Sequence, residues 1–162
     1  MIVVSNTSPI FALSSINNLD LLQIYGKIII PVAVLNEITD IGNTDASATI
    51  VPKIPWIQTQ SVTNLTLVNT LKAELDGGEA EAIALAIELN ADRLIIDERL
   101  GRKIAEQLGI SIVGVLGILM AAKQRNLIDA VKPLLHRLTE QTGFWLEQKL
   151  YRSILQIVGE DP

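Results

Sequence analysis

Val3-Val4-Ser5-Asn6-Thr7-Ser8-Pro9 carries an apolar β segment straight into a polar turn and then into the start of a helix. Ile2 to Ser5 reads as a short buried strand, too short for periodicity to decide alone. Ser8 is expected as the N-cap of the following helix and Pro9 as its first residue, where the missing N–H of proline costs nothing. The same punctuation returns along the chain. A helical stretch over Leu19 to Tyr25 stops at Gly26, and Lys27 to Ile30 is a β-branched strand with Pro31 opening a helix over Val32 to Thr39. Asp40 to Pro55, with Gly42, Asn43, Pro52 and Pro55, is expected to be a mobile loop. Trp56 to Val62 is expected as an edge strand, Leu65 to Leu75 as a helix, and alanine-rich Glu79 to Leu89 as another. Arg93 to Ile96 is a strand, Leu100 to Leu108 a helix stopped by Gly109, Ile110 to Val113 a strand, and Val115 to Arg125 a helix. Helices over about Ile128 to Thr139 and Leu146 to Val158 finish the chain. Strands alternating with helices predict an α/β fold with a central parallel sheet covered on both faces. Ligands of such sheets bind beyond the carboxyl ends of the strands.

Composition narrows the class. With 162 residues the chain is expected to form a single domain, 1–162, with a substantial core. Apolar residues are 49% and charged residues 19%, yet no stretch reaches the roughly 20 apolar residues of a membrane span. The start lacks the basic residues of a signal peptide. The absence of cysteine excludes disulfides and thiolate metal sites and suits a reducing, cytoplasmic location. A lone histidine, His136, excludes a histidine-rich zinc site within one chain. A net charge of −5 counts against generic nucleic-acid binding. It counts less against a site built of carboxylates around a divalent metal.

The acids fall in a suggestive order. Asp97 follows Leu94-Ile95-Ile96 at the carboxyl end of a strand, and Asn6 holds the equivalent place on the first strand. Glu37 lies in the helix after Ile28-Ile29-Ile30, and Glu79 and Glu81 lie in the first turn of theirs. Converging carboxylates repel one another and call for a counter-charge such as Mg or Mn, which take oxygen ligands. A metal so held activates water and stabilises charge during in-line attack on a phosphodiester. Local roles compete at every position. Glu79 and Glu81 complement a helix dipole, Asp97 suits a cap, Glu37 suits a solvated helix face and Asn6 an Asx-turn. Glu79 and Glu81 stand roughly 200° apart around a helix, so only one of them faces a given site. Arg99, Arg102 and Lys103 suit either phosphate contact or a solvated helix face.

These pieces together resemble the PIN-domain ribonucleases, most closely a prokaryotic PIN-like subgroup related to the VapC-type toxins of toxin–antitoxin modules. The resemblance rests on Val4-Ser5-Asn6-Thr7-Ser8-Pro9, Ile30-Pro31-Val32-Ala33-Val34 through Glu37-Ile38, Gly78-Glu79-Ala80-Glu81-Ala82-Ile83-Ala84-Leu85-Ala86, Ile95-Ile96-Asp97-Glu98-Arg99 and Gly114-Val115-Leu116-Gly117. It covers nearly the whole chain. It implies a three-layer α/β/α fold and metal-dependent hydrolysis of single-stranded RNA by one or two Mg or Mn ions. The family's acidic quartet falls on Asn6, Glu37, Glu81 and Asp97, as both metal ligands and catalytic residues. Glu81 is preferred over Glu79 because Glu-Ala-Ile-Ala-Leu-Ala resembles the family's helix start and lies 16 residues before Asp97. Thr7 and Ser8 stand beside the site, with Glu79, Arg99 and Arg102 as accessory candidates. Asn6 departs from the family's aspartate. An amide oxygen still ligates Mg, but it brings no charge and cannot act as a base. The alternative is therefore a catalytically impaired PIN-like protein that binds RNA or a protein partner. A third reading is a structural α/β domain whose acids all serve locally.

The C-terminal stretch carries Leu146, Leu150, Ile154 and Ile157/Val158 at helical spacing, flanked by Trp145 and Tyr151. This stripe either closes the protein's own core or meets a second copy or an antitoxin. The resemblance favours a homodimer.

Overall fold

The protein is described by a computed structural model over residues 1–40 and 46–162. Among these residues the strands are β1 (Val3–Ser5), β2 (Ile28–Pro31), β3 (Ile57–Gln60), β4 (Arg93–Ile95) and β5 (Ile112–Val113). All pair in parallel, in the order β3-β2-β1-β4-β5. The sheet grows outward from β1 to β2 and β3, then returns to the other side of β1 for β4 and β5. The reversal lies between β1 and β4, where Ser5 pairs with Ile95. A crevice at the carboxyl ends of the strands forms at such a reversal.

Side-chain alternation makes the layers. Val3, Ile28, Ile30 and Ile95 point into one apolar cluster, and Val4, Leu94 and Ile96 into another on the opposite face. The first face is covered by α1 (Thr7–Ser15), the 3₁₀ segment Leu19–Tyr25, α2 (Val32–Thr39) and α3 (Ser47–Ile50), together with three later helices. The second is covered by α4 (Leu65–Leu71), α5 (Gly77–Glu88) and α6 (Arg99–Gln107). The later helices are α7 (Val115–Gln124), α8 (Lys132–Thr142) and α9 (Gln148–Ile157). The result is the α/β/α arrangement expected from the alternation of strands and helices. Each fully buried Leu or Ile, such as Leu13, Ile83 or Leu94, contributes about 1.5–3 kcal/mol by leaving water.

Several boundaries moved. The first helix begins at Thr7, so Asn6 rather than Ser8 holds the N-cap position, and the Asn6 side chain makes no capping bond. The expected mobile loop contains α3 and a 3₁₀ turn over Val51–Lys53, and buried Val51 anchors it to the core. Gly42 and Asn43 of that expectation lie outside the described residues. The fifth helix starts earlier than expected because Asp76 caps it, accepting the Glu79 N–H at 2.8 Å. The eighth starts at Lys132 rather than near Ile128, since Pro133 suits a first turn and Glu160 accepts the Val131 and Lys132 N–H groups at 2.7 and 3.0 Å. The C-terminal stripe divides: Ile154 and Leu155 are buried in the core, whereas Leu150 and Ile157 are exposed. No helix among the described residues is long and apolar enough to cross a membrane.

Candidate active site

The crevice between β1 and β4 is edged by Asn6 on one strand end and Asp97 just past the other. Asn6 donates its backbone N–H to the Ile95 carbonyl at 2.9 Å, extending the ladder by one residue and fixing the turn. The residue is 2% exposed, and its Oδ1 has no hydrogen-bond partner among the described residues. A buried amide oxygen left unpaired costs about 1–3 kcal/mol, so its retention calls for an explanation.

The next residue leads to Glu37. Thr7 donates its hydroxyl to Glu37 Oε2 at 2.5 Å, and the Gly78 N–H donates to Glu37 Oε1 at 2.8 Å. Glu37 on α2 is thus clamped between the start of α1 and the positive end of α5. A side chain at position 78 would sit on the Glu37 carboxylate, so this approach needs glycine. Asp97 is fixed in the same manner. Its Oδ1 accepts the Val115 N–H at 3.1 Å at the start of α7, and Gly114 leaves the space that the carboxylate fills. Arg102 donates to the Ile96 carbonyl at 2.8 Å and places its charge beside Asp97. Burial raises the Asp97 pKa; the Val115 N–H and Arg102 oppose this and Glu98 adds to it.

Of the two acids at the start of α5, Glu79 faces this cluster. It is 8% exposed, and its carboxyl carbon lies close to the space beside Gly101 of α6. Burial first, then the charges of Asp76 and Glu98 and finally Glu37, push its pKa from 4.5 to about 7, against the hydrogen bond at Asp76. No donor among the described residues reaches its carboxylate. Glu81, preferred from sequence, is turned toward α2, where its Oε1 accepts the Ala33 N–H at 3.1 Å. It caps a helix, on a side of α5 away from Glu79. Glu79 thus feels the charges of Asp76, Glu98 and Glu37, whereas Glu81 accepts a backbone N–H of α2.

Asp76 and Glu98 are additions to the expected set. Asp76-Gly77-Gly78-Glu79 has the D-x-x-E spacing of a capping box, which marks the helix start two residues before Glu79. Glu98 accepts the Ser8 hydroxyl at 3.1 Å, tying the first turn of α1 to the turn after β4. Thr7 and Ser8 act here by holding acids. Arg99 is exposed, and it lines two concavities on either side of Asp97.

An open α/β sheet offers a ligand site at its topological reversal, beyond the carboxyl ends of the strands. Residues 2–160 match a family model described as a PIN domain, and the chain belongs to the PIN-domain family. PIN domains are nuclease domains that generally use divalent metal ions.

The donor set fits such an ion in kind. Asn6 Oδ1 is a buried oxygen without a partner among the described residues, and Glu79 and Asp97 are acids whose pKa burial raises and a nearby positive charge would lower. Among the described residues, no three of Asp, Glu, His or Cys are drawn together closely enough to enclose an ion.

Proposed function

We propose that this PIN domain is a divalent-metal-dependent ribonuclease that hydrolyses single-stranded RNA, with Asn6, Glu37, Glu79 and Asp97 as its site. The observation that carries the reading is the buried Asn6 Oδ1 at the strand reversal, without a hydrogen-bond partner among the described residues. Oxygen donors of this kind suit Mg²⁺ or Mn²⁺. Such an ion, when bound, supplies an activated water and charge stabilisation for in-line attack. The chain's own residues prepare the place. Thr7 and Gly78 fix Glu37, Val115 fixes Asp97 with the Arg102 charge nearby, and Glu79 moves from protonated to charged near neutrality.

Asn6 is the residue that sets the strength of the site. It offers a neutral oxygen where a carboxylate would offer charge, so Asn6→Asp is expected to tighten Mn²⁺ binding about tenfold by calorimetry and to raise RNA cleavage. Wild type is expected to cleave RNA in Mn²⁺ and to stop in chelator. If neither protein binds Mn²⁺ or cleaves any of a range of single-stranded RNAs, this reading is lost.

The neutral amide and the spread of the acids favour a second reading, a catalytically impaired PIN-like protein that binds RNA or a protein partner. Activity appearing only in Asn6→Asp would select it. A VapC-type toxin role, with an antitoxin as partner, extends the first reading through the resemblance of its motifs. Association as a homodimer is part of the same proposal and is supported by the exposed Ile157, which edges a groove with Met120 and Ala121. Light scattering after size exclusion is expected to give twice the 17.7 kDa chain mass. A clean monomer at high concentration would remove the dimer.

A further inference from the structure

A concavity of about 930 Å³ is lined by Asp97 at one edge and extends away from Asn6, Glu37 and Glu79, none of which lines it. Its volume is within the range of about 300–1,000 Å³ typical of small-ligand sites. One wall belongs to α6 and carries Arg99, Arg102 and Lys103, with Glu106 farther along. The three cations stand at i, i+3 and i+4 and so share one helix face. None has a carboxylate within 4 Å among the described residues, although the chain carries a net charge of −5. The facing wall comes from the segment between α8 and α9 and carries Phe144 and Trp145. Trp145 is 81% exposed, so its indole adds little to the core. A second concavity of about 510 Å³ shares Asp97, Arg99 and Phe144 with the first, so the two meet at Asp97.

An exposed indole sharing a groove with cations that lack carboxylate partners among the described residues suits single-stranded nucleic acid. Bases stack on the ring and phosphates follow the cations, with no need for base-specific hydrogen bonds. A duplex hides its base faces and gains nothing from the ring. We propose that this groove is a nucleotide subsite: Trp145 stacks one unpaired base while Lys103 and Arg99 hold the adjoining phosphates, directing the strand across Asp97. The subsite rests on the single-stranded RNA reading above and adds the residues that bind the strand rather than cleave it.

The test separates the two. The chain has two tryptophans, Trp56 and Trp145, so Trp56→Phe leaves Trp145 as the sole indole reporter. A ten-nucleotide single-stranded RNA is titrated in chelator, where cleavage plays no part. The expected result is quenching of Trp145, little quenching by the corresponding duplex, and, by anisotropy of end-labelled RNA, binding weakened about tenfold by Trp145→Ala, in line with base stacking. Trp145→Phe should retain much of the affinity. Lys103→Ala should reduce the slope of log K against log salt by about 0.7, the contribution of one phosphate contact on a single strand. Quenching that persists in a protein without cleavage in Mn²⁺ would support the subsite while the nuclease reading fell. Cleavage with no quenching, and with affinity unchanged in Trp145→Ala, would overturn the subsite and leave the nuclease reading intact. Quenching that follows protein concentration instead of RNA would also overturn it, since a second copy would then cover the groove.

Discussion

RNA cleavage in Mn²⁺ is expected to fall roughly 10²-fold or more in Asp97→Asn and in Glu79→Gln, and to stay near wild type in Glu81→Gln. The first two substitutions remove charge from acids at the strand reversal while keeping size and hydrogen-bonding capacity. Asp97→Asn retains an oxygen for the Val115 N–H, so the start of α7 stays capped. Glu81→Gln likewise keeps an oxygen for the Ala33 N–H and leaves the cluster unaltered. The three variants thus separate site charge from helix capping, and circular dichroism checks that each is folded. Equal activity in wild type and Asp97→Asn would end the nuclease proposal. Loss of activity in Glu81→Gln with retention in Glu79→Gln would return the site to the acid preferred from the sequence motif.

The second large effect is on stability and its pH dependence. Glu79 has a pKa of about 7 in the folded protein against 4.5 ordinarily. Below about pH 4.5 both folded and unfolded chains hold this proton and the group has no effect. Between pH 4.5 and 7 the folded chain keeps a proton that the unfolded chain has released, so stability falls as pH rises through this window. Above about pH 7 the full penalty is present. At about 1.4 kcal/mol per pKa unit its ceiling is about 3 kcal/mol, reduced where water reaches the open side of the crevice. The metal-free protein is therefore expected to melt at lower temperature at pH 8 than at pH 5.5. Glu79→Gln should raise the pH 8 melting temperature by several degrees and flatten the profile, as Asp97, also raised by burial, retains a smaller slope of the same sign. Mn²⁺ at pH 8 should stabilise wild type more than the variant, because binding to the folded state alone adds stability. A pH profile unchanged by Glu79→Gln would show that the carboxylate is not buried among like charges.

Where the candidate residues fall in the fold was partly legible from the sequence, and the reason differs by residue. Asn6 and Asp97 were legible because each follows a short apolar run, and the end of a strand in a parallel sheet is a place set by local pattern. Glu37 was legible by the same logic one element later. The choice between Glu79 and Glu81 was not. Both lie at the start of one helix, and which of them meets the cluster depends on the rotation of α5 against the sheet. Nearly every residue from Gly78 to Ala86 is buried, so the apolar pattern of α5 does not set that rotation. Glu98 was missed because its partners, Ser8 and Glu79, are distant in the chain. The Asp40 to Pro55 expectation failed in its helical part since turn-forming composition says nothing of the core contact at Val51.

By itself the sequence determined the alternation of strands and helices, and with it the parallel sheet, its two apolar faces and the carboxyl edge where chemistry gathers. These follow from local periodicity and turn residues, which act over a few residues. Only the tertiary structure decided which acids hold backbone N–H groups, that Asn6 has no partner for its amide oxygen among the described residues, and that Trp145 lines one concavity with the cations of α6. Those outcomes depend on helix rotation and on contacts between residues far apart in the chain. Local pattern carries no information about either.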